Sequence, residues 1–322
     1  MPELNQFQDY LVHEFVDDYN DGVMPRREMM MRIIHITGGV AAAATMLTSL
    51  GVKAADAGVE RKQFRPAPTT MQSALSVAAD DPRIKASDVS FESSGAMVGA
   101  YEARPAAPRA TPAAATPVTA GALPLILVCH ENRGLTDHIK DVTRRLATNG
   151  YVAVALDLVS REGGTAAHDQ SEVPSILSSG DPNRHVADFQ AALDFYESQP
   201  GVDASRVGMI GFCFGGGITW RSATRIAALK AAIPYYGPPP PLTDVPNIQA
   251  AVLGVYSSDA GDFANGGRDE LEAALKAAGK TYEIKVYPGT EHAFNNDTGP
   301  RYNAEQAAVA WSDALAWFAK YV

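Results

Sequence analysis

Gly211-Phe212-Cys213-Phe214-Gly215-Gly216-Gly217 lies between two stretches of opposite character. Before it, Arg206-Val207-Gly208-Met209-Ile210 is a short apolar run that reads as a buried strand. After it, residues 218–230 read as a helix. A nucleophile between strand and helix, with glycine two residues away on each side, is a nucleophile elbow, here with Cys instead of Ser. The reason is steric. The turn forces the nucleophile into a strained backbone conformation, and side chains two residues before and after would strike the neighbouring strand and helix. The helix N-terminus points free N–H groups at the sulfur. That favours thiolate, and it makes the N–H of Phe214 one half of an oxyanion hole.

Outward from the elbow, buried strands alternate with helices. Apolar runs at 123–129, 151–156, 207–210, 231–234, 249–256 and 282–287 predict strands. Residues 138–149, 183–199, 218–230, 267–278 and 304–321 predict helices. Residues 89–92 and 97–101 predict an antiparallel hairpin, and 104–121, rich in Ala, Pro and Thr, a connection of low structural content. The alternation implies an α/β fold, a doubly wound, mostly parallel sheet with helices on both faces. In such a sheet the active site lies at the C-terminal ends of the strands.

With 322 residues, the chain is long enough for one catalytic domain over 88–322, a surface-wrapping linker over 58–87 and an N-terminal extension over 1–57. Hydrophobic residues at 46% and charged residues at 20% are globular proportions. A net charge of −10 without a basic stripe argues against a nucleic-acid partner. Two cysteines, Cys129 and Cys213, supply neither a disulfide framework nor a zinc pattern. No run of 18 apolar residues suggests a stable membrane span.

The extension has a text of its own. Residues 1–25 are polar and acidic, and Pro25-Arg26-Arg27-Glu28-Met29-Met30-Met31-Arg32 follows. A small-residue and apolar stretch runs over 33–52 to Ala55-Asp56-Ala57. Paired arginines before such a stretch and an A-x-A site resemble a twin-arginine export signal, which would place the protein in the periplasm. The competing reading is a helical hairpin that packs on the catalytic domain and stays attached in a cytoplasmic protein.

Three further candidates follow strands downstream of Cys213. Asp259 and Asp262 come after 249–256, and His292 comes after 282–287, within Glu291-His292-Ala293-Phe294. A thiol near its reference pKa of about 8.5 is mostly protonated at neutral pH. A histidine can take its proton and return it to a leaving group, and a carboxylate fixes that histidine's tautomer. Both aspartates remain candidates, with Asp262 preferred. A fourth feature, His130-Glu131-Asn132-Arg133-Gly134, follows the strand at 123–129. The N–H of Asn132 can complete the oxyanion hole there, and the carboxylate of Glu131 can engage the thiol.

The sequence H-E-N-R-G at 130–134, L-D-L-V-S-R at 156–161, G-F-C-F-G-G at the elbow and E-H-A-F-N-N-D at 291–297 together resemble the dienelactone hydrolase family of α/β hydrolases. The likeness covers about 88–322. It implies the α/β-hydrolase fold and a Cys–His–Asp triad at Cys213, His292 and Asp262. Glu131 matches a glutamate that keeps the resting cysteine neutral until substrate binds, and Arg161 matches an arginine that contacts a substrate carboxylate. A second carboxylate-binding arginine of the family is replaced here by Asn296, with Arg133 as a substitute close by. That departure implies an ester or lactone substrate other than dienelactone itself. No metal or organic cofactor is implied.

Two rivals share these residues. The elbow could perform acyl transfer or thioester cleavage, or the fold could be a non-catalytic binding module. Cys129 and Trp220 read as packing residues, and His138, His168 and His185 as surface or helix residues without ligand spacing. Phe212 and Phe214 are candidates for shaping an apolar acyl pocket.

Overall fold

The computed structural model describes residues 4–52, 73–106 and 121–322. Three helices come first: α1 (Gln6–Asn20), α2 (Arg26–Thr37) and α3 (Val40–Ser49). The hairpin β1 (Ile84–Ser93) and β2 (Ala96–Pro105) follows, then β3 (Leu123–Cys129), α4 (Asp137–Thr148), β4 (Val152–Leu156), α5 (Val173–Ser179) and α6 (Pro182–Tyr196). The second half is β5 (Val202–Phe212), α7 (Phe214–Ala223), β6 (Ala231–Tyr235), β7 (Ala251–Ser257), α8 (Arg268–Ala277), β8 (Tyr282–Tyr287) and α9 (Ala304–Tyr321). The strands form one sheet in the order β1-β2-β4-β3-β5-β6-β7-β8. From β4 to β8 every pairing is parallel, whereas β1–β2 and β2–β4 are antiparallel.

The centre of the sheet is covered on both faces, which explains why β3, β4 and β6 read as continuous apolar runs instead of alternating ones. The hairpin turns at Ser94 and Gly95, both at positive φ, so its register Ser93↔Ala96 is set by a tight two-residue loop. Local signals start the helices. Asp181 caps α6 by accepting from the Asn183 N–H, with Pro182 in the first turn. Asn303 caps α9 through the Gln306 N–H.

Some sequence boundaries move, and one helix is added. The elbow helix stops at Ala223 instead of running to 230, because Thr224 and Arg225 donate three residues back, to Arg221 and Ser222, tightening the chain into a turn before β6. The sheet begins at Ile84, upstream of residue 88. Helix α5 was not anticipated. It lies between β4 and α6, where no element was expected.

Helices α1 to α3 pack on the sheet domain. Asn5 closes a capping box with Gln8 at the start of α1. Leu11, Val12 and Phe15 are fully buried and belong to the same core as β3 to β7. Pro25 precedes α2, whose first turn exposes Arg26 and Arg27. Gly38, at φ +77°, ends α2, and α3 leaves it at a bend of 110°. Among the described residues no single helix is long and apolar enough to cross a membrane. The Ala55-Asp56-Ala57 site and the first half of the expected linker over 58–87 lie outside the described residues.

Candidate active site

Cys213 stands between β5 and α7 at φ +56° and ψ −119°, a conformation that L-residues avoid. Its neighbours show why the chain tolerates it. A Cβ on Gly211 would strike the Gly215 carbonyl and the Thr219 hydroxyl, and one on Gly215 would strike the carbonyls of Cys129 and His130. The turn is therefore pinned between its own helix and the end of β3. The Cys213 N–H donates to the Tyr235 carbonyl at 3.0 Å, which ties the elbow to β6.

The loop after β8 brings His292 to the same end of the sheet. Its Nδ1 lies 3.1 Å from Asp262 Oδ1. Asp262 follows β7, accepts from the Ala264 N–H at 2.9 Å and from the Ser257 hydroxyl, and is buried. Burial alone would raise its pKa. The charge and hydrogen bond of His292, with the bonds from Ser257 and Ala264, outweigh that and hold it below 3.8. Burial pushes the His292 imidazole down, but Asp262 lifts it above 6.5. Asp259 is turned away, accepting from the Gly261 N–H, so the structure brings Asp262 to the histidine and leaves Asp259 out. The rings of Phe263 and Tyr236 lie 4.8 and 5.0 Å from the imidazole.

Cys213 Sγ does not donate to His292. It points at Glu14 of α1, 3.2 Å from Oε2 and 3.4 Å from Oε1. A ring nitrogen of His292, Sγ and a Glu14 oxygen nevertheless all lie within 4.8 Å of one another. The Asn132 side-chain amide donates to Glu14 Oε1 at 2.7 Å. The Tyr10 hydroxyl donates to the Tyr236 carbonyl at 3.1 Å, 3.8 Å from the sulfur. In this arrangement the helix N-terminus is not the largest influence on the thiol. Burial first, then the charges of Glu14 and Glu131, push the thiol well above 9, and the Phe214 N–H offsets only part of this. Burial likewise raises the Glu14 carboxyl to about 7. No sequence motif announced Glu14; the only signal was a buried-face pattern in an acidic leader.

The other expected residues divide. Glu131 lines the cavity at Cys213, but its Oε2 accepts from Asn296 at 2.5 Å and its Oε1 has no hydrogen-bond partner. The residue that replaces the family's second arginine thus holds Glu131, while Glu14 holds the thiol. Asn132 and Arg133 line the same cavity. Arg161 does not. Both its terminal nitrogens bond Asp188 at 2.7 Å, and one also donates to the Ser93 carbonyl. Arg301, which sequence reading passed over, lines the cavity and donates to Asp18 at 2.6 Å and Asp21 at 2.9 Å.

Phe212 and Phe214 are fully buried and do not line this cavity. His138 and His185 are buried helix residues, and Cys129 is a buried core thiol. His138 Nδ1 lies 2.7 Å from Asp297, the last residue of the E-H-A-F-N-N-D stretch, which also takes a 2.8 Å bond from Arg145. That buried cluster anchors the His292 loop to α4.

A parallel sheet with a strained elbow after β5 and an Asp–His pair on the loops after β7 and β8 defines an α/β hydrolase. The chain belongs to the dienelactone hydrolase family, whose model matches residues 111–322. It is 35% identical over 273 residues to a "Putative carboxymethylenebutenolidase" of Salmonella typhi, covering 80% of this chain and 95% of that one. An Escherichia coli K12 protein of the same description is 34% identical over 280 residues, covering 82% and 97%. Among solved structures, a "Putative Dienelactone Hydrolase" from Klebsiella pneumoniae superposes with a TM-score of 0.64 at 34% identity, over 74% of this chain and 99% of that one.

Proposed function

We propose that the chain hydrolyses carboxylic esters or lactones through Cys213, with His292 as proton carrier and Asp262 as its orienting carboxylate. The observation that carries this reading is the Asp262–His292 pair, 3.1 Å apart, facing a cysteine on a strained elbow. In the working arrangement Sγ turns from Glu14 to His292, whose Nε2 is buried without a partner. The imidazole takes the thiol proton, and sulfur attacks the ester carbon. The N–H groups of Phe214 and Asn132 hold the oxyanion. The carbon–oxygen bond to the alcohol then breaks, and His292 returns its proton to the departing oxygen. Water, deprotonated by the same imidazole, cleaves the thioester and frees acid and thiol.

The test is turnover of activated esters and lactones, one bearing a free carboxylate, by wild type beside Cys213→Ala. Turnover by wild type alone supports the reading. Equal turnover by both refutes it. Acyl transfer to added alcohols, measured in the same assay, separates hydrolysis from transferase chemistry on the same residues.

A further inference from the structure

Three unlike donors meet beside the elbow. Cys213 Sγ, a carboxylate oxygen of Glu14 and a ring nitrogen of His292 lie within 4.8 Å of one another, on side chains that are all buried. The reaction proposed above uses the sulfur and the imidazole but gives Glu14 no part. Each donor is set by a neighbour. Asp262 sits 3.1 Å from Nδ1 of His292, which leaves Nε2 as the free nitrogen, and Nε2 is buried without a hydrogen-bond partner. The Asn132 amide donates to Glu14 Oε1 at 2.7 Å, which leaves Oε2 facing the sulfur at 3.2 Å. A carboxylate behind an imidazole, and a hydrogen bond behind a carboxylate, are the outer supports that orient the ligands of a metal ion.

Spacing and charge point the same way. Zinc binds sulfur at about 2.3 Å and nitrogen or oxygen at about 2.0–2.2 Å, so two of its tetrahedral ligands stand roughly 3.5 Å apart. The sulfur and Oε2 are already close to that separation, and the imidazole has to close by roughly an ångström. A thiolate and a carboxylate together match the charge of a divalent ion and leave the buried site neutral, whereas either charge alone is costly to bury. The cations that line the cavity are also balanced. Arg301 is held by Asp18 and Asp21, and Arg133 shares the cavity with Glu131. A thiolate and an imidazole select zinc, cobalt or copper over magnesium and calcium. Three protein ligands leave a fourth position for water.

We propose that Glu14, Cys213 and His292 form a binding site for a zinc-type divalent ion, with one ligand supplied by helix α1 and two by the sheet domain. Binding replaces the thiol proton, which passes to solvent, with a sulfur–metal bond, and nothing is oxidised or reduced. The bound ion takes the sulfur and Nε2, the two groups that hydrolysis requires. The metal-loaded protein is therefore silent towards esters, and removing the ion restores it. That last consequence rests on the hydrolase reading, but the site itself does not.

The experiment adds cobalt(II) chloride under argon to full-length protein without a histidine tag and follows the absorption spectrum. Wild type, Glu14→Gln and Cys213→Ser are compared, with circular dichroism checking the fold of each. Wild type is expected to show a thiolate-to-cobalt charge-transfer band and the intense visible bands of four-coordinate cobalt. Cys213→Ser is expected to lose the charge-transfer band. Zinc affinity, read by competition with a chromophoric chelator, is expected to fall about tenfold or more in Glu14→Gln, since losing even an outer support costs about 10–100-fold. A wild type without the charge-transfer band, or a Cys213→Ser spectrum equal to that of wild type, overturns the site and puts the ion elsewhere, for instance at the partly exposed Asp21, Asp259 and Glu291. Unchanged affinity in Glu14→Gln overturns the role of α1.

Turnover supplies the second arm. Hydrolysis of a neutral activated ester by wild type is expected to fall in step with zinc occupancy and to return when EDTA is added. Glu14→Gln is expected to need about tenfold more zinc for the same loss. Full turnover at saturating zinc overturns the silencing. If no protein turns over any ester while the cobalt spectra behave as expected, the hydrolase reading fails and the metal site stands.

Discussion

The sheet domain and the three helices before it meet at one sulfur but get there by different physics. In the sheet domain the site is built from strand ends. Cys213, Asp262 and His292 each follow a strand, and backbone contacts at Gly211 and Gly215 leave the elbow no other shape. In the extension a single amphipathic helix delivers Glu14, Asp18 and Asp21 through side chains alone. The first kind of site is fixed by topology. The second is fixed by docking, and docking can be reversed.

The largest expected effect lies wholly on the sheet-domain side. Cys213→Ala should lower ester turnover by about 10⁴-fold or more, measured as kcat under saturating substrate. Next comes the loop that carries His292. Asp297 is buried against His138 and Arg145, so Asp297→Asn should cost about 3–5 kcal/mol in urea unfolding, by leaving buried Arg145 short of a partner. Leu11→Ala tests whether the two regions fold as one body. Leu11 is fully buried, and if α1 unfolds together with the sheet its loss should reduce global stability by about 2–5 kcal/mol. An unchanged urea midpoint would break the comparison the other way, making α1 a unit that detaches before the core melts.

The smallest effect is in pH, and the two regions should titrate with opposite sign. Asp262 is held below 3.8, so its contribution to stability is present above that value and is lost as pH falls. Glu14 is raised from 4.5 to about 7 by burial, with His292, Asp18, Cys213 and Glu131 facing it. Its contribution is complete below about 4.5 and is lost as pH rises through about 7. Hydrogen exchange, corrected for its intrinsic pH dependence, should show α1 loosening between pH 5 and 8 while β5 does not. Loosening of α1 on acidification instead would reject the assignment to Glu14.

How far the sequence spoke follows the same division. The elbow, the strand order of chemistry and the Asp–His pair were legible because each is a local pattern: an apolar run, then a glycine or a charged loop. The preference for Asp262 over Asp259 agrees with its contact to His292. The roles expected of Glu131 and Arg161 rested on resemblance, and each side chain has another partner here, Asn296 for the first and Asp188 for the second. Those partners lie on distant segments, and no spacing rule links them. Glu14 was illegible for a stronger reason. Its contact to Cys213 spans 199 positions and depends on where a helix docks, which is set by Phe7, Leu11 and Phe15 finding the core. Paired arginines and a small-residue stretch drew the eye to export, while the residue that touches Cys213 stood twelve positions earlier.

A carboxylate that covers the Cys213 thiol from within the same chain is a ligand that never diffuses away. Its local concentration is set by the tether and stays the same however dilute the protein, whereas a separate inhibitor would be lost on dilution. Only a competitor that outbids it in the cavity, or a cut in the tether, changes the balance. Cleavage after Ala57 would turn α1 from a tethered group into a free peptide held by its contacts alone. N-terminal sequencing of the protein from its native cell distinguishes the two forms: a start at the first residues means the ligand travels with its site, and a start at Gly58 means it is left behind.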